Sequence, residues 1–292
     1  SETVERRKAE IKTEYNKLIT AQQEILNSKE RNLKQREKNL NESLGVAAQN
    51  IEAAYWLGVT DFYEEIAMTQ MGDGDYIDLQ GDYILNDFGQ VVGINYDNLD
   101  EKLSKYKGKN ILIKDEQTKK ETVVDAFDYF KSSIEKGGNF GIKFGKDIII
   151  NRALINKAIG ESPTSKEAQW AATAPLEELF HITVAGKKIN FKNKEADAAI
   201  EEVIQVLDEK LELKQISEEV YNDFMQRISL YIDDNKIDVE EFIAQLNNMV
   251  ALGDINLSDI DQTPSLKTFL NNTIRSAFGD MSWMLNLKTS GD

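Results

Sequence analysis

Along the first 44 residues apolar side chains return at every seventh position. Val4, Ile11, Leu18 and Ile25 form one series, and Ile19, Leu26, Leu33 and Leu40 form a second, one residue out of step. Sevenfold spacing is the seam of a coiled coil, and the shift is a break in its register. Neither proline nor glycine interrupts the stretch, so the pattern predicts one long helix ended by Gly45. The seam is narrow, because the complementary positions hold Lys8, Gln22, Lys29 and Arg36. A helix of this kind gains its stability by packing on another surface, a second chain or the body of its own.

Residues 46–70 read as a further helix, rich in Ala and in aromatics (Tyr55, Trp56, Phe62, Tyr63). Over 71–95 the texture changes to short β-prone runs, Asp75–Leu79, Asp82–Leu85 and Val91–Asn95, between glycines and aspartates. The tetrapeptide Gly-Asp-Tyr-Ile occurs at Gly74–Ile77 and Gly81–Ile84. Strands with turns fit it better than a calcium-binding repeat. A short helix follows over 98–107, then a strand at Asn110–Lys114. The spacing of Val123, Phe127, Phe130 and Ile134 predicts an amphipathic helix over Thr122–Glu135, stopped by Gly137 and Gly138.

Two strand-like runs come next, Phe140–Phe144 and Asp147–Asn151, followed by a short helix, the loop Gly160–Ser165 and a helix from Lys166 to His181. A hairpin around Gly186 is expected within Ile182–Phe191. The rest reads as helical, over Glu195–Leu213, Glu218–Tyr231, Val239–Ala251 and Leu266–Phe278. Asp238, with Glu241 three residues on, makes a start resembling a capping box.

Composition narrows the chemistry. The chain has 292 residues, no cysteine, one histidine (His181) and a net charge of −16. Disulfides, cysteine-ligated zinc, iron–sulfur clusters and cysteine nucleophiles are excluded, as is any site needing two imidazoles from one chain. The acidic field opposes nucleic acid and anionic membranes and favours a basic partner. Residues 1–44 depart from this, with ten basic and eight acidic side chains, so the remainder carries −18. No apolar run reaches the roughly 18–20 residues of a membrane-spanning helix. A soluble protein of the cytoplasm or of a virion is expected.

One constellation carries candidate chemistry. A strand ending in Asn151 leads to a short helix, and the next helix bears Glu177-Glu178-Leu179-Phe180-His181. Over residues 120–210 this resembles the core of the zincin metallopeptidases, in which an edge strand precedes a helix bearing H-E-x-x-H. Residues four apart share a helix face, so both ends of the motif can hold one metal, while the glutamate beside the first ligand deprotonates the metal-bound water. The resemblance implies that His181 matches the second histidine ligand and Glu178 the general base. Glu177 stands where the first histidine belongs. A third, glutamate ligand would fall on Glu201 or Glu202, with Glu202 taken as the metal ligand. The glutamate at position 177 would make the metal a poorer Lewis acid, and Pro175 brings a kink or a late helix start.

Asp233–Phe242 resembles the second half of an EF-hand loop, with Glu241 at the bidentate position. Leu230 and Ile232 fall at the first ligand positions and Asn235 replaces the glycine, so a helix–turn–helix without calcium is expected.

The expected fold class is predominantly helical α+β in four segments. These are a coiled-coil-like arm (1–45), a helix with a small β-rich region (46–115), a zincin-like α+β domain (116–215) and a C-terminal helical bundle (216–292). The expected function is a non-catalytic assembly protein on a degenerate zincin-like scaffold, joined to protein partners or further copies through residues 1–44. In its long helical arm and its Lys/Asn/Ile/Glu-rich, cysteine-free composition it resembles virion proteins of tailed bacteriophages. No cofactor is expected in that reading. The alternatives are a zinc metallopeptidase with a Glu/His/Glu site, and an acidic binding module for a basic partner.

Overall fold

The computed structural model describes residues 2–115, 118, 120–187, 194–229, 232–233 and 236–255. Helix α1 runs from Glu2 to Gln70. Two compact units divide the chain, one ending at Glu52 and one beginning at Ala53. In the first, Ile11, Leu18, Ile19, Ile25, Leu26, Leu33 and Leu40 are all between 50% and 65% exposed. Pairs one turn apart, such as Lys34–Glu30 at 2.8 Å, support the helix by about 0.2–0.5 kcal/mol each. Gly45 does not end this helix. A glycine in a helix interior costs about 1 kcal/mol relative to alanine, which Leu44, Ala47, Ala48 and the absence of proline outweigh.

The second unit opens with the rest of α1, which buries Trp56, Tyr63 and Ala67. Strands β1 (Tyr76–Asp78), β2 (Gly81–Leu85) and β3 (Val91–Tyr96), the short helix α2 (Leu99–Lys102) and a 3₁₀ turn at Ser104–Tyr106 follow. Next come β4 (Asn110–Lys114), β5 (Glu121–Asp125), α3 (Ala126–Glu135), β6 (Gly141–Phe144), β7 (Asp147–Ile150), α4 (Arg152–Glu161) and α5 (Lys166–Lys187). The described part ends with α6 (Lys194–Glu212), α7 (Glu218–Ser229), the short strands β8 (Ile232–Asp233) and β9 (Lys236–Ile237), and α8 (Val239–Leu252). This is a predominantly helical α+β protein with small sheets.

The main sheet has the order β1-β7-β6, with β1 parallel and β6 antiparallel to β7. Its central strand is the run Asp-Ile-Ile-Ile, and Ile148, Ile149 and Ile150 are all buried. A central strand covered on both faces needs such an unbroken apolar run. Successive side chains point to opposite faces. Ile148 and Ile150 therefore join the large core with α5, α7 and α8, while Ile149 joins a smaller core around Leu103, Tyr106 and Phe130. Among the described residues three further antiparallel pairs, β2 with β3, β4 with β5 and β8 with β9, stand apart from this sheet.

Three expectations need correction. Residues 122–125 are strand, not the first turn of a helix: β-branched Thr122, Val123 and Val124 pair with β4. Asp125 then caps α3 by accepting from the amides of Phe127 and Asp128. The helix accordingly buries Ala126, Phe130 and Ile134, while Val123 is 60% exposed. Helix α5 continues past His181 to Lys187, so there is no hairpin at Gly186. Helix α5 starts at Lys166, ahead of Pro175, so the proline does not mark a late start. The ring removes one backbone donor, and the buried helix on either side is held by the core around Ala172, Leu176 and Leu179. The rest of the expected hairpin and the helix at Leu266–Phe278 lie outside the described residues. Among those described, no helix is long and apolar enough to cross a membrane.

Candidate functional site

Strand β6, helix α5, the last turn of α7 and the start of α8, with Ile111 of β4 and Tyr129 and Phe130 of α3, line an open cleft of about 930 Å³ in the second unit. Its wall includes Glu177, Glu178 and His181 from α5, Glu240 and Glu241 from α8 and Arg227 from α7. Residues 177, 178 and 181 share one helix face, as the three- and four-residue spacing requires. Asp238 starts α8 at the cavity edge by accepting from the amides of Glu240 and Glu241. That cap aims the two glutamate side chains at α5. The expected box is thus half made: Asp238 caps, while the Glu241 carboxylate turns to His181.

His181 lies between two carboxylates. Its Nδ1 is 2.8 Å from Oε1 of Glu240, and its Nε2 is 3.5 Å from Oε2 of Glu241. Burial pushes the imidazole pKa down, but these two carboxylates and Glu178 more than reverse that and raise it to about 10. His181 is therefore cationic at neutral pH. Glu178 is pushed up to about 8, first by burial and then by the charge of Glu177. Its side chain packs against the backbone of β6, where a Cβ on Gly141 would come within 2.7 Å of the Glu178 Cγ. Glu177 is raised by burial, against the pull of His181 and the hydrogen bond from Asn248.

Of the residues expected at a metal, the structure brings Glu177 and His181 together, with Glu178 beside them. Glu202 lies on α6 and is not of their group; Glu241 takes the third position instead. One ligand atom each from Glu177, His181 and Glu241 lies within 4.8 Å of the others. Zinc bonded at about 2.0 Å holds tetrahedral ligands about 3.3 Å apart, so the three side chains would have to draw in. Two observations bear on the fit. Glu241 Oε2 is buried without a hydrogen-bond partner, which suits a cation. The donor set has one nitrogen and two carboxylates, which suits a weakly acidic metal rather than a strongly polarising one.

Sequence reasoning missed Glu240, Asn248 and Arg227, and it read Glu241 as a cap and as the final position of a calcium loop. The signal for Glu241 was present in the acidic first turn of α8, but its direction depends on how α8 packs on α5. Comparison with protein-family models, with curated proteins and with solved structures gave no match.

Proposed function

We propose that this chain is a non-catalytic component of a protein assembly, joined through its N-terminal helical arm and carrying a zincin-like core as scaffold. The observation that carries this reading is the exposure of the arm's sevenfold apolar series, from Ile11 to Leu40, on one uninterrupted helix. Such a series gains stability only when covered. At about 25 cal/mol per Å² of apolar surface removed from water, a paired arm recovers several kcal/mol. The arm's balanced charge makes close approach of another helix easier than it would be for the acidic remainder. A virion component is the class of assembly that the arm and the composition resemble.

The core supports the non-catalytic half of the reading. Glu177 stands in place of an imidazole, and His181 is already engaged by Glu240 at 2.8 Å, with Glu241 Oε2 3.5 Å from its other ring nitrogen. A triple variant, Leu26→Ser with Leu33→Ser and Leu40→Ser, tests the arm in the full chain. The wild type is expected to run as an oligomer by light scattering and the variant as a monomer. A monomeric wild type, or an unchanged oligomer in the variant, would overturn the arm as the assembly device.

A second reading rests on the Glu177, His181 and Glu241 cluster. It makes the chain a metal-dependent peptidase in which Glu178 serves as general base, and zinc when bound would supply the Lewis acid. Protein purified without chelator would then hold about one zinc per chain, lost in His181→Ala, and Glu178→Gln would abolish peptide hydrolysis while keeping the metal. Zinc content indifferent to His181 removes this reading.

A further inference from the structure

The exposed apolar residues of the arm fit a repeat longer than seven. Ile11, Gln22, Leu33 and Leu44 are eleven residues apart, and so are Leu18, Lys29, Leu40 and Ile51. Three turns of α-helix take about 10.8 residues, so an elevenfold spacing stays on one face where a sevenfold one drifts off it. The one-residue step between the two sevenfold series is the correction that such a repeat makes. The apolar members of both elevenfold series are between 59% and 70% exposed, on one continuous helix and within the first unit.

The polar members of the face select what covers it. In a parallel, in-register pair of copies each seam position meets itself. Lys29 would then face Lys29, and Arg36 would face Arg36, with like charges repelling inside the seam. An antiparallel copy centred on Arg31 matches the two elevenfold series to each other from end to end. Ile11 then faces Ile51, and Leu18 faces Leu44. Gln22 faces Leu40, and Lys29 faces Leu33, where the lysine stem lies along apolar surface and its charge reaches water.

Charge points the same way. The arm carries ten basic and eight acidic side chains, so two arms repel little, whereas the rest of each chain carries −18. A parallel pair starts both acidic remainders at one end. The antiparallel pair sets the two Ala53 positions about 66 Å apart along the helix axis, many times the screening length of about 8 Å.

We propose that the occupant of this face is a second copy of the same chain, running antiparallel and centred near Arg31. The inference rests on the assembly reading above and names its partner.

The chain has no cysteine, so introduced thiols report contact without background. Leu18→Cys and Leu44→Cys, both at exposed positions, are made in the full chain. Each is produced alone and together with the other, oxidised, and run on a non-reducing gel. In the antiparallel pair position 18 faces position 44 of the second copy but lies about 39 Å along the axis from its own counterpart. A disulfide needs Cα atoms within about 7 Å, so the mixture is expected to give at least about tenfold more linked dimer than either variant alone. Self-linkage of each variant to the same extent as the mixture overturns the antiparallel partner and leaves assembly through the arm standing. No linkage in any sample, with a wild-type oligomer that the triple serine variant dissolves, likewise overturns only this pairing. A monomeric wild type overturns the pairing and the assembly reading together.

Discussion

Asn248 donates from Nδ2 to Oε2 of Glu177 at 2.9 Å, tying α8 to the middle of α5. Asn248 is fully buried and is one of three amide side chains, with Gln245 and Asn247, buried on α8. Buried polar groups usually have partners; Asn248 Nδ2 has Glu177, whereas Asn248 Oδ1 and both polar atoms of Asn247 have no hydrogen-bond partner. The glutamate at position 177 and the amide at 248 are therefore best understood as a pair.

Removing the amide should show this. Asn248→Ala leaves the Glu177 carboxyl without its donor, and a loss of about 1–3 kcal/mol is expected in denaturant unfolding at neutral pH. Asn248→Asp sets a second carboxyl beside the first and should cost more. Equal losses in the two variants would mean that the pair contributes nothing beyond packing.

Asp147 gives a pH dependence. Burial pushes its pKa up, but the Asp75 amide at 2.9 Å, Lys105 Nζ at 2.8 Å and the Tyr106 hydroxyl at 3.0 Å more than offset this and hold it below the usual carboxylate range. A folded pKa lowered below the unfolded one gives stability that is full above about pH 4 and lost as pH falls through the lowered value. Asp147→Asn should thus cost about 1–2 kcal/mol at pH 7, with the gap to wild type closing in strong acid. Unfolding midpoints measured from pH 7 down to 2 check this, and a constant gap counts against it.

Arg152 ties α4 to the part of α1 within the second unit. It is 8% exposed, pairs with Glu64 and with Asp61 Oδ1 at 2.7 Å, and donates to Asn156 Oδ1 at 2.8 Å. Tyr76 also donates to Glu64, at 2.8 Å. Arg152→Met strands the Glu64 carboxylate, and about 3–5 kcal/mol should be lost. Combining it with Glu64→Gln should recover part of that. A double variant that loses the sum of both single effects would show the residues to be uncoupled.

Two glycines should respond in opposite directions. A Cβ on Gly74 would sit 1.7 Å from the carbonyl oxygen of Lys146, where only backbone movement makes room. Gly74→Ala should therefore cost about 3 kcal/mol or more, at the upper end for overpacking. Gly45 has nothing within 4 Å of its added Cβ, so Gly45→Ala should raise the helical circular dichroism signal and add about 0.5–1 kcal/mol to the helix. A neutral Gly74→Ala would show that the backbones of Gly74 and Lys146 do not meet this closely.

Local chemistry made much of the fold legible. The absence of proline and the sevenfold series foretold the long helix, the run Asp147–Asn151 foretold a strand, and Asp238 foretold the start of α8. The failures have local causes too. At Gly45 and Pro175 a residue that disfavours helix was outweighed by its neighbours. At Thr122–Asp125 an i, i+3 pattern concealed β-branched residues that found a partner in β4. At Gly186 a helix held by its core ran on through a turn signal.

The candidate site divides the same way. Glu177, Glu178 and His181 are placed on one face by helical spacing alone, so the sequence by itself determined that they meet. The hydrogen-bond partners of His181 and Glu177 come from α8, 59 and 71 residues later in the chain. Spacing within one helix fixes direction because the backbone is periodic, whereas contact between helices depends on which apolar faces pack together and at what angle. Burying Phe242, Leu246 and Met249 against α5 is what turned Glu241 rather than Glu202 toward His181, and only the tertiary structure decided that.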